Sequence, residues 1–339
     1  MKRLLLSWLI ALAALAASSG ANAGYSNLFV FGDSLSDSGN NAIVLAPNVT
    51  SVPISGNSFI PTFPYASGHY TNGPVWAQIF ATSLGLSANP SLPPEWGTDY
   101  AFGGARTGPF SPNPLPGGLL NPFPASLETQ AAFFLDQYHN VAPSDALYVV
   151  AGGGNDAHDA LDAIGGCGTD LSCVNGIIQS TATAFATNID TIVGELETDG
   201  AKNIVVWDTP DVGKAPAILA LGASASALGS FVASSMNSAL LATIAGDSNV
   251  KLFDLFGLED SWVANPGAFG LINVTDACAQ FTACDPAMYL FWDGIHPTSA
   301  GHQLISNAMV ATVGVPEPAT FALLGLGLAG LVATRRRTS

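Results

Sequence analysis

Short apolar runs punctuate the body of the chain, and longer stretches with helical spacing lie between them. Residues 27–31 (Asn-Leu-Phe-Val-Phe), 146–151 (Ala-Leu-Tyr-Val-Val-Ala), 203–207 (Asn-Ile-Val-Val-Trp) and 250–253 (Val-Lys-Leu-Phe) read as strands, the first a buried one. A shorter run, 100–102, ends in Gly103 and Gly104. Helices are predicted over 75–84, 127–138, 177–196, 223–244 and 297–313, with Pro297 suited to the first position of the last one. Strand alternating with helix argues for a parallel sheet covered on both faces. Such sheets place ligands beyond the carboxyl ends of their strands. Here those ends carry Gly32-Asp33-Ser34, Gly103-Gly104 and Gly153-Gly154-Asn155. Two irregular segments interrupt the pattern: 43–68, and 107–125 with six prolines. Segments of that length act as lids or binding loops, or are exposed padding. No fixed-period repeat and no linker divides the body.

The ends read differently. Lys2 and Arg3 precede an apolar run over 4–17, and Ala21-Asn22-Ala23 supplies a small-x-small cleavage site before Gly24. This is the pattern of a secretory signal peptide over residues 1–23, and its apolar run is short for a membrane anchor. At the other end Pro316-Glu317-Pro318 precedes an apolar stretch over 319–334 and then Arg335, Arg336 and Arg337. Sixteen helical residues span about 24 Å, just under a bilayer core of about 30 Å. The arginines are expected to stay on the cytoplasmic side. Gly325, Gly327 and Gly330 match G-x-G-x-x-G in letters only, because no strand precedes them. The segment 315–339 resembles the PEP-CTERM sorting signal of Gram-negative bacteria. That resemblance implies export to the envelope or beyond and handling by an exosortase-type sorting machinery; a plain membrane anchor is the alternative. Either way the C-terminal helix contacts the membrane, transiently or lastingly.

Composition narrows the classes further. Hydrophobic residues make up 48 % of the chain and charged ones 10 %, which excludes a disordered chain. The two ends hold five of the nine basic residues, leaving Arg106, Lys202, Lys214 and Lys251 against 24 acidic residues, a formal charge of about −20 for residues 24–314. Nucleic acid and anionic membrane surfaces are therefore poor partners. Cys167 and Cys173, and Cys278 and Cys284, stand in an exported chain, and two local disulfides are the simplest pairing. Neither pair has close histidines for a metal site.

Four blocks carry chemistry. Ser34 follows a buried strand, so its hydroxyl can enter the crevice and its N–H can face a developing oxyanion. The neighbouring Asp37 reads better as a helix cap. Ser36 stands where a G-x-S-x-G elbow would need glycine. Asp293-Gly294-Ile295-His296 supplies a base and a carboxylate three residues before it, close enough to set its tautomer. The glycines at 103–104 and 152–154 let a backbone N–H approach a ligand closely, and the Asn155 amide can donate to the same oxygen. His69, His139, His158 and His302 have no comparable setting. Arg106 fits a structural ion pair better than a substrate anion site.

Together these blocks resemble the GDSL branch of the SGNH hydrolases, in the same order and across nearly the whole body. Trp207-Asp-Thr-Pro-Asp-Val-Gly213 and the wording around His296 point to lipase-like members. The resemblance implies a three-layer α/β/α sandwich with a flavodoxin-like parallel sheet over residues 24–314. It implies Ser34 as nucleophile, His296 as base and Asp293 as its partner. Ser34, Gly104 and Asn155 would form the oxyanion hole, with Gly103 an alternative to Gly104. The expected activity is hydrolysis of carboxylic esters, on acylated envelope polysaccharide or neutral lipid, with no cofactor and no metal. Acyl transfer would use the same residues, and a non-catalytic matrix or adhesion protein would keep the fold alone.

Overall fold

The computed structural model describes residues 24–45, 68–109 and 123–314. The expected signal peptide, the sorting tail and most of both irregular segments lie outside the described residues. In chain order the elements are β1 (Leu28–Gly32), α1 (Asn40–Leu45), α2 (Trp76–Ser83), α3 (Leu127–Gln137), β2 (Leu147–Ala151), α4 (Gly154–Gly165), α5 (Leu171–Thr198), β3 (Asn203–Trp207), α6 (Pro216–Leu219), α7 (Ala223–Ile244), β4 (Val250–Phe253), α8 (Leu255–Ala264), β5 (Asn273–Ala277), β6 (Tyr289–Phe291) and α9 (Ser299–Val313).

Strands β1 to β4 pair in parallel in that order, with Leu28 opposite Leu147, Leu147 opposite Asn203 and Ile204 opposite Val250. Successive side chains of a strand point to opposite faces. Phe29, Phe31, Tyr148, Val150, Ile204 and Val206 pack against α3, α4, α5 and α7. Leu28, Val30, Leu147, Val149, Val205 and Trp207 pack against α2, α8 and α9. Both faces are covered, which is why these strands read as nearly continuous apolar runs. The result is an α/β/α sandwich. Helix α7 has the length and apolarity of a membrane span, yet its Val232, Met236 and Leu240 face is built into the first of these cores.

The expected strand at 100–102 is a correction. No strand forms there; just before it, Asp99 makes isolated bridges to Val30 of β1 and, on its outer side, to Pro90. The backbone still follows β1, with Tyr100 N–H donating to Val30 O over 2.8 Å and Phe102 N–H to Gly32 O over 3.1 Å. This ribbon lies on the far side of β1 from β2, so the sheet order is the flavodoxin-like 2-1-3-4-5 with an incomplete second strand. Side chains explain why it stops. The Asn40 amide donates to the outward carbonyls of Asp99 and Ala101, and the Asp99 carboxylate accepts the Ala101 N–H. Beyond the short bridge in which Asp99 also takes the Ser91 N–H and gives its own N–H to the Asn89 carbonyl, the edge is thereby closed to further pairing.

Other differences are local. Pro297 does not open the last helix; Thr298 caps it by accepting the Gly301 N–H, and α9 starts at Ser299. Helix α5 begins six residues before the expected start, because Asp170 caps it through Ser172 and Cys173 N–H. Helices α1, α4, α6 and α8, and the small parallel pair β5–β6, lie outside the expected elements. Cys167 is bonded to Cys173 and Cys278 to Cys284.

Phe134 is the hub of the larger core. Its ring lies 4.6 Å from Phe29, 4.7 Å from Tyr138 and 5.7 Å from Phe31. Phe134→Ala is expected to cost about 3–5 kcal/mol, measured by urea unfolding with both disulfides intact.

Candidate active site

The chain leaves β1 through a sharp turn that presents Ser34. Asp33 organises it: its carbonyl accepts the Ser36 and Asp37 N–H groups, and its Oδ1 accepts the Leu35 N–H, all at 3.0 Å. Gly32 is required by crowding, since a Cβ there would stand 2.9 Å from the Ala151 carbonyl oxygen and from Ser36 Cβ. Buried Gln130 pins the same residue, accepting its N–H and donating to its carbonyl, each over 2.8 Å. Asp37 closes the turn as an acceptor for the Gly39 and Asn40 N–H groups at the start of α1, as its capping pattern suggested.

The histidine comes from the loop between β6 and α9. Asp293 Oδ1 accepts the Ile295 and His296 N–H groups at 2.8 Å, and Oδ2 accepts from His296 Nδ1 at 2.9 Å. One carboxylate therefore shapes its own turn and orients the imidazole. The opposite ring atom, His296 Nε2, lies 2.7 Å from Ser34 Oγ. Asp293 and His296 are buried, while Ser34 remains partly open to solvent.

The remaining expected residues lie on two docked segments. Asn155 stands in the first turn of α4 and donates Nδ2 to the Ala105 carbonyl over 2.9 Å. Asp156 accepts the Thr107 N–H and hydroxyl, which ties α4 to the strip after Gly104. The two glycines of the strip differ. The Gly103 N–H donates to Asp37 Oδ2 over 2.9 Å, whereas no hydrogen bond among the described residues occupies the Gly104 N–H. Gly104 has φ of 82°, a left-handed conformation that favours glycine. Arg106 forms a bidentate pair with Asp159, at 2.9 and 2.7 Å, and donates to the Gly104 carbonyl.

A segment that sequence reasoning missed links the two halves. Toward the Ser34 turn, Trp76 Nε1 donates to Ser36 Oγ, His69 Nε2 donates to the Ser38 carbonyl, and Tyr70 Oη accepts from Asn41. Toward the histidine loop, Thr71 donates to the Pro297 carbonyl, and Asn72 Oδ1 accepts the Ser299 N–H at 2.8 Å. The Tyr70 ring lies 5.2 Å from the His296 ring. His302 accepts the Trp76 N–H on Nδ1, and burial pulls its pKa down to about 3. His158 lies 3.7 Å from Asp162 on α4, and His139, two residues past α3, has φ of 55°. The only local signal for this segment in the sequence is a polar cluster before a helix, which reads as an ordinary turn.

These features define an α/β protein with a serine, histidine and aspartate in contact at the carboxyl edge of its parallel sheet. The chain belongs to the GDSL-like Lipase/Acylhydrolase family, whose profile matches residues 28–309. The PEP-CTERM protein-sorting motif matches residues 314–337, which implies export toward the cell envelope of a Gram-negative bacterium. Esterase EstA of Pseudomonas aeruginosa is 28 % identical over 331 residues, covering 88 % of this chain and 48 % of its own length. This chain thus spans about half the length of that relative. A GDSL esterase/lipase of Arabidopsis thaliana is 25 % identical over 88 % of this chain and 92 % of its own. An extracellular lipase of Streptomyces rimosus aligns at TM-score 0.43 and 16 % identity over 84 % of this chain and 99 % of its own, too loose a likeness to argue from.

Two outcomes follow from this geometry. Asn72→Ala leaves the Ser299 N–H without its acceptor and is expected to cost about 1–3 kcal/mol, read from urea unfolding. Burial raises Asp33 and Asp156 to about 6 and Asp208 to about 7. Their folded-state values lie above the unfolded value near 4, so their stabilising contribution is complete below about pH 4 and is lost as pH rises through about 6 to 7. His302, lowered to about 3, works the other way, its contribution being lost as pH falls below about 6.5, but it is one group against three. The thermal midpoint is therefore expected to be higher near pH 5 than near pH 8; a scan showing no such fall contradicts it.

Proposed function

We propose that this chain is an exported serine ester hydrolase that cleaves carboxylic esters through an acyl-enzyme on Ser34. The reading divides the chain into a signal peptide at 1–23, a hydrolase body at 24–314 and a sorting tail at 315–339. Ser34 Oγ attacks the acyl carbon while its proton passes to His296 Nε2. The Asp293 carboxylate stabilises the imidazolium so formed and holds the tautomer that leaves Nε2 free to accept. The tetrahedral oxyanion would lie against the N–H groups of Ser34 and Gly104 and the second Nδ2 hydrogen of Asn155. Gly104 is favoured over Gly103 because the Gly103 N–H is already given to Asp37. His296 then protonates the leaving alcohol, and a water activated by the same imidazole releases the acid. Neutral esters, on envelope polysaccharide or lipid, suit so acidic a body better than anionic ones.

The observation that carries this reading is the chain of contacts from Ser34 to His296 at 2.7 Å and from His296 to Asp293 at 2.9 Å, buried at its carboxylate end. A non-catalytic protein would have no use for that alignment. The test is hydrolysis of p-nitrophenyl esters, acetyl to long-chain, by residues 24–314. Ser34→Ala is expected to lower kcat by at least about 10³-fold with KM little changed. Folded wild-type protein with no activity on any chain length would remove the reading.

A further inference from the structure

Helix α9 begins three residues after His296 and carries the chain away from the site. Its last residue lies at the opposite edge of the sheet. Lys251, in β4, donates Nζ to the Val313 carbonyl over 3.4 Å. Val313 also lines a small pocket with Tyr25, Leu147 and Asn203, at the starts of β1, β2 and β3. The fifteen residues of α9 span about 22 Å. The sorting motif starts at Gly314, directly after the helix.

The covalent tether from there is short. Five residue steps separate Gly314 from Ala319, where the apolar stretch starts. Fully extended, they reach about 17 Å. To lay the Ser34 edge on the bilayer that holds the apolar stretch, Gly314 would have to stand about 22 Å above it. The tether cannot reach that far. Nor does charge pull the body over, since its 24 acidic residues outnumber four basic ones.

We propose that, while its tail is held in a membrane, this hydrolase faces away from that membrane. Its substrates are then acyl esters of soluble or polymeric carriers in the surrounding aqueous phase, and the acyl lipids of its own bilayer are out of reach. This rests on the esterase reading of the Ser34 site.

The full chain in phosphatidylcholine vesicles tests it without needing activity. A dye at Leu221→Cys marks the catalytic edge, because α6 just before it donates the Ala217 N–H to the Gly294 carbonyl. A dye at Lys202→Cys marks the other edge, just before β3. Energy transfer to headgroup-labelled lipid is expected to be several-fold stronger from position 202. Equal or reversed transfer overturns the proposal, and so does a chain that fails to float with the vesicles. A second arm compares p-nitrophenyl acetate in water with p-nitrophenyl laurate held in the same vesicles. About twenty Gly/Ser residues inserted after Gly314 lengthen the reach beyond the helix. Laurate hydrolysis is expected to rise about tenfold with acetate hydrolysis unchanged. Where acetate is hydrolysed, equal laurate rates in the two chains overturn the proposal. If acetate is untouched while the dyes report the expected orientation, the esterase reading fails and the orientation stands.

Discussion

The hydrogen bond between Ser34 and His296 closes 262 residues of chain. Closing a flexible loop of that length costs about 5 kcal/mol in entropy, whereas one hydrogen bond contributes about 1 kcal/mol net. The contact cannot hold itself together, so the fold must deliver both partners already in place. Two constraints do so. The parallel sheet brings the exits of β1 and β2 to one edge, and the segment 69–76 bonds to the Ser34 turn on one side and to the start of α9 on the other. Gln130 adds a third attachment from α3, at the last residue of β1.

The electrostatics of the edge follow from the same burial. Asp293 is enclosed but accepts two backbone N–H groups and the histidine Nδ1, so its charge has partners on both oxygens. Asp33 and Asp156 stand nearby with fewer compensating donors, and burial holds their protons more tightly than in an open chain. Of the four cations in the body, Arg106 pairs with Asp159 and also donates to the Gly104 carbonyl, which braces the strip carrying Gly104. In the proposed reading, the net negative charge and the placement of the tail end at the far edge of the sheet both bear on which esters can approach.

How much of this was legible from sequence depends on how local each cause is. Residues 28–32, 147–151 and 203–207 announce buried strands because both faces of a covered sheet demand apolar side chains, a requirement each residue meets by itself. The disulfides close six-residue separations, and Asp293 reaches His296 within one turn. Such features need no distant partner. The four blocks around Ser34, Gly104, Asn155 and His296 could be singled out as chemistry for the same reason. Their meeting could not be derived from spacing alone.

Tertiary structure decided the rest. Residues 98–102 stop short of a strand because Asn40, some sixty residues earlier, takes their outer carbonyls. Thr298 instead of Pro297 borders α9 because its hydroxyl caps Gly301. The Gly103 N–H is bound by Asp37, which a linear reading treats only as a cap. Tyr70, Thr71 and Asn72 look like turn residues until α9 is folded against them. The sequence by itself determined the four paired strands, the chemical blocks and the sorting motif, whose signals lie within a few consecutive residues. Only the folded chain decided which polar groups find partners across tens to hundreds of residues, because a hydrogen bond is set by position in space.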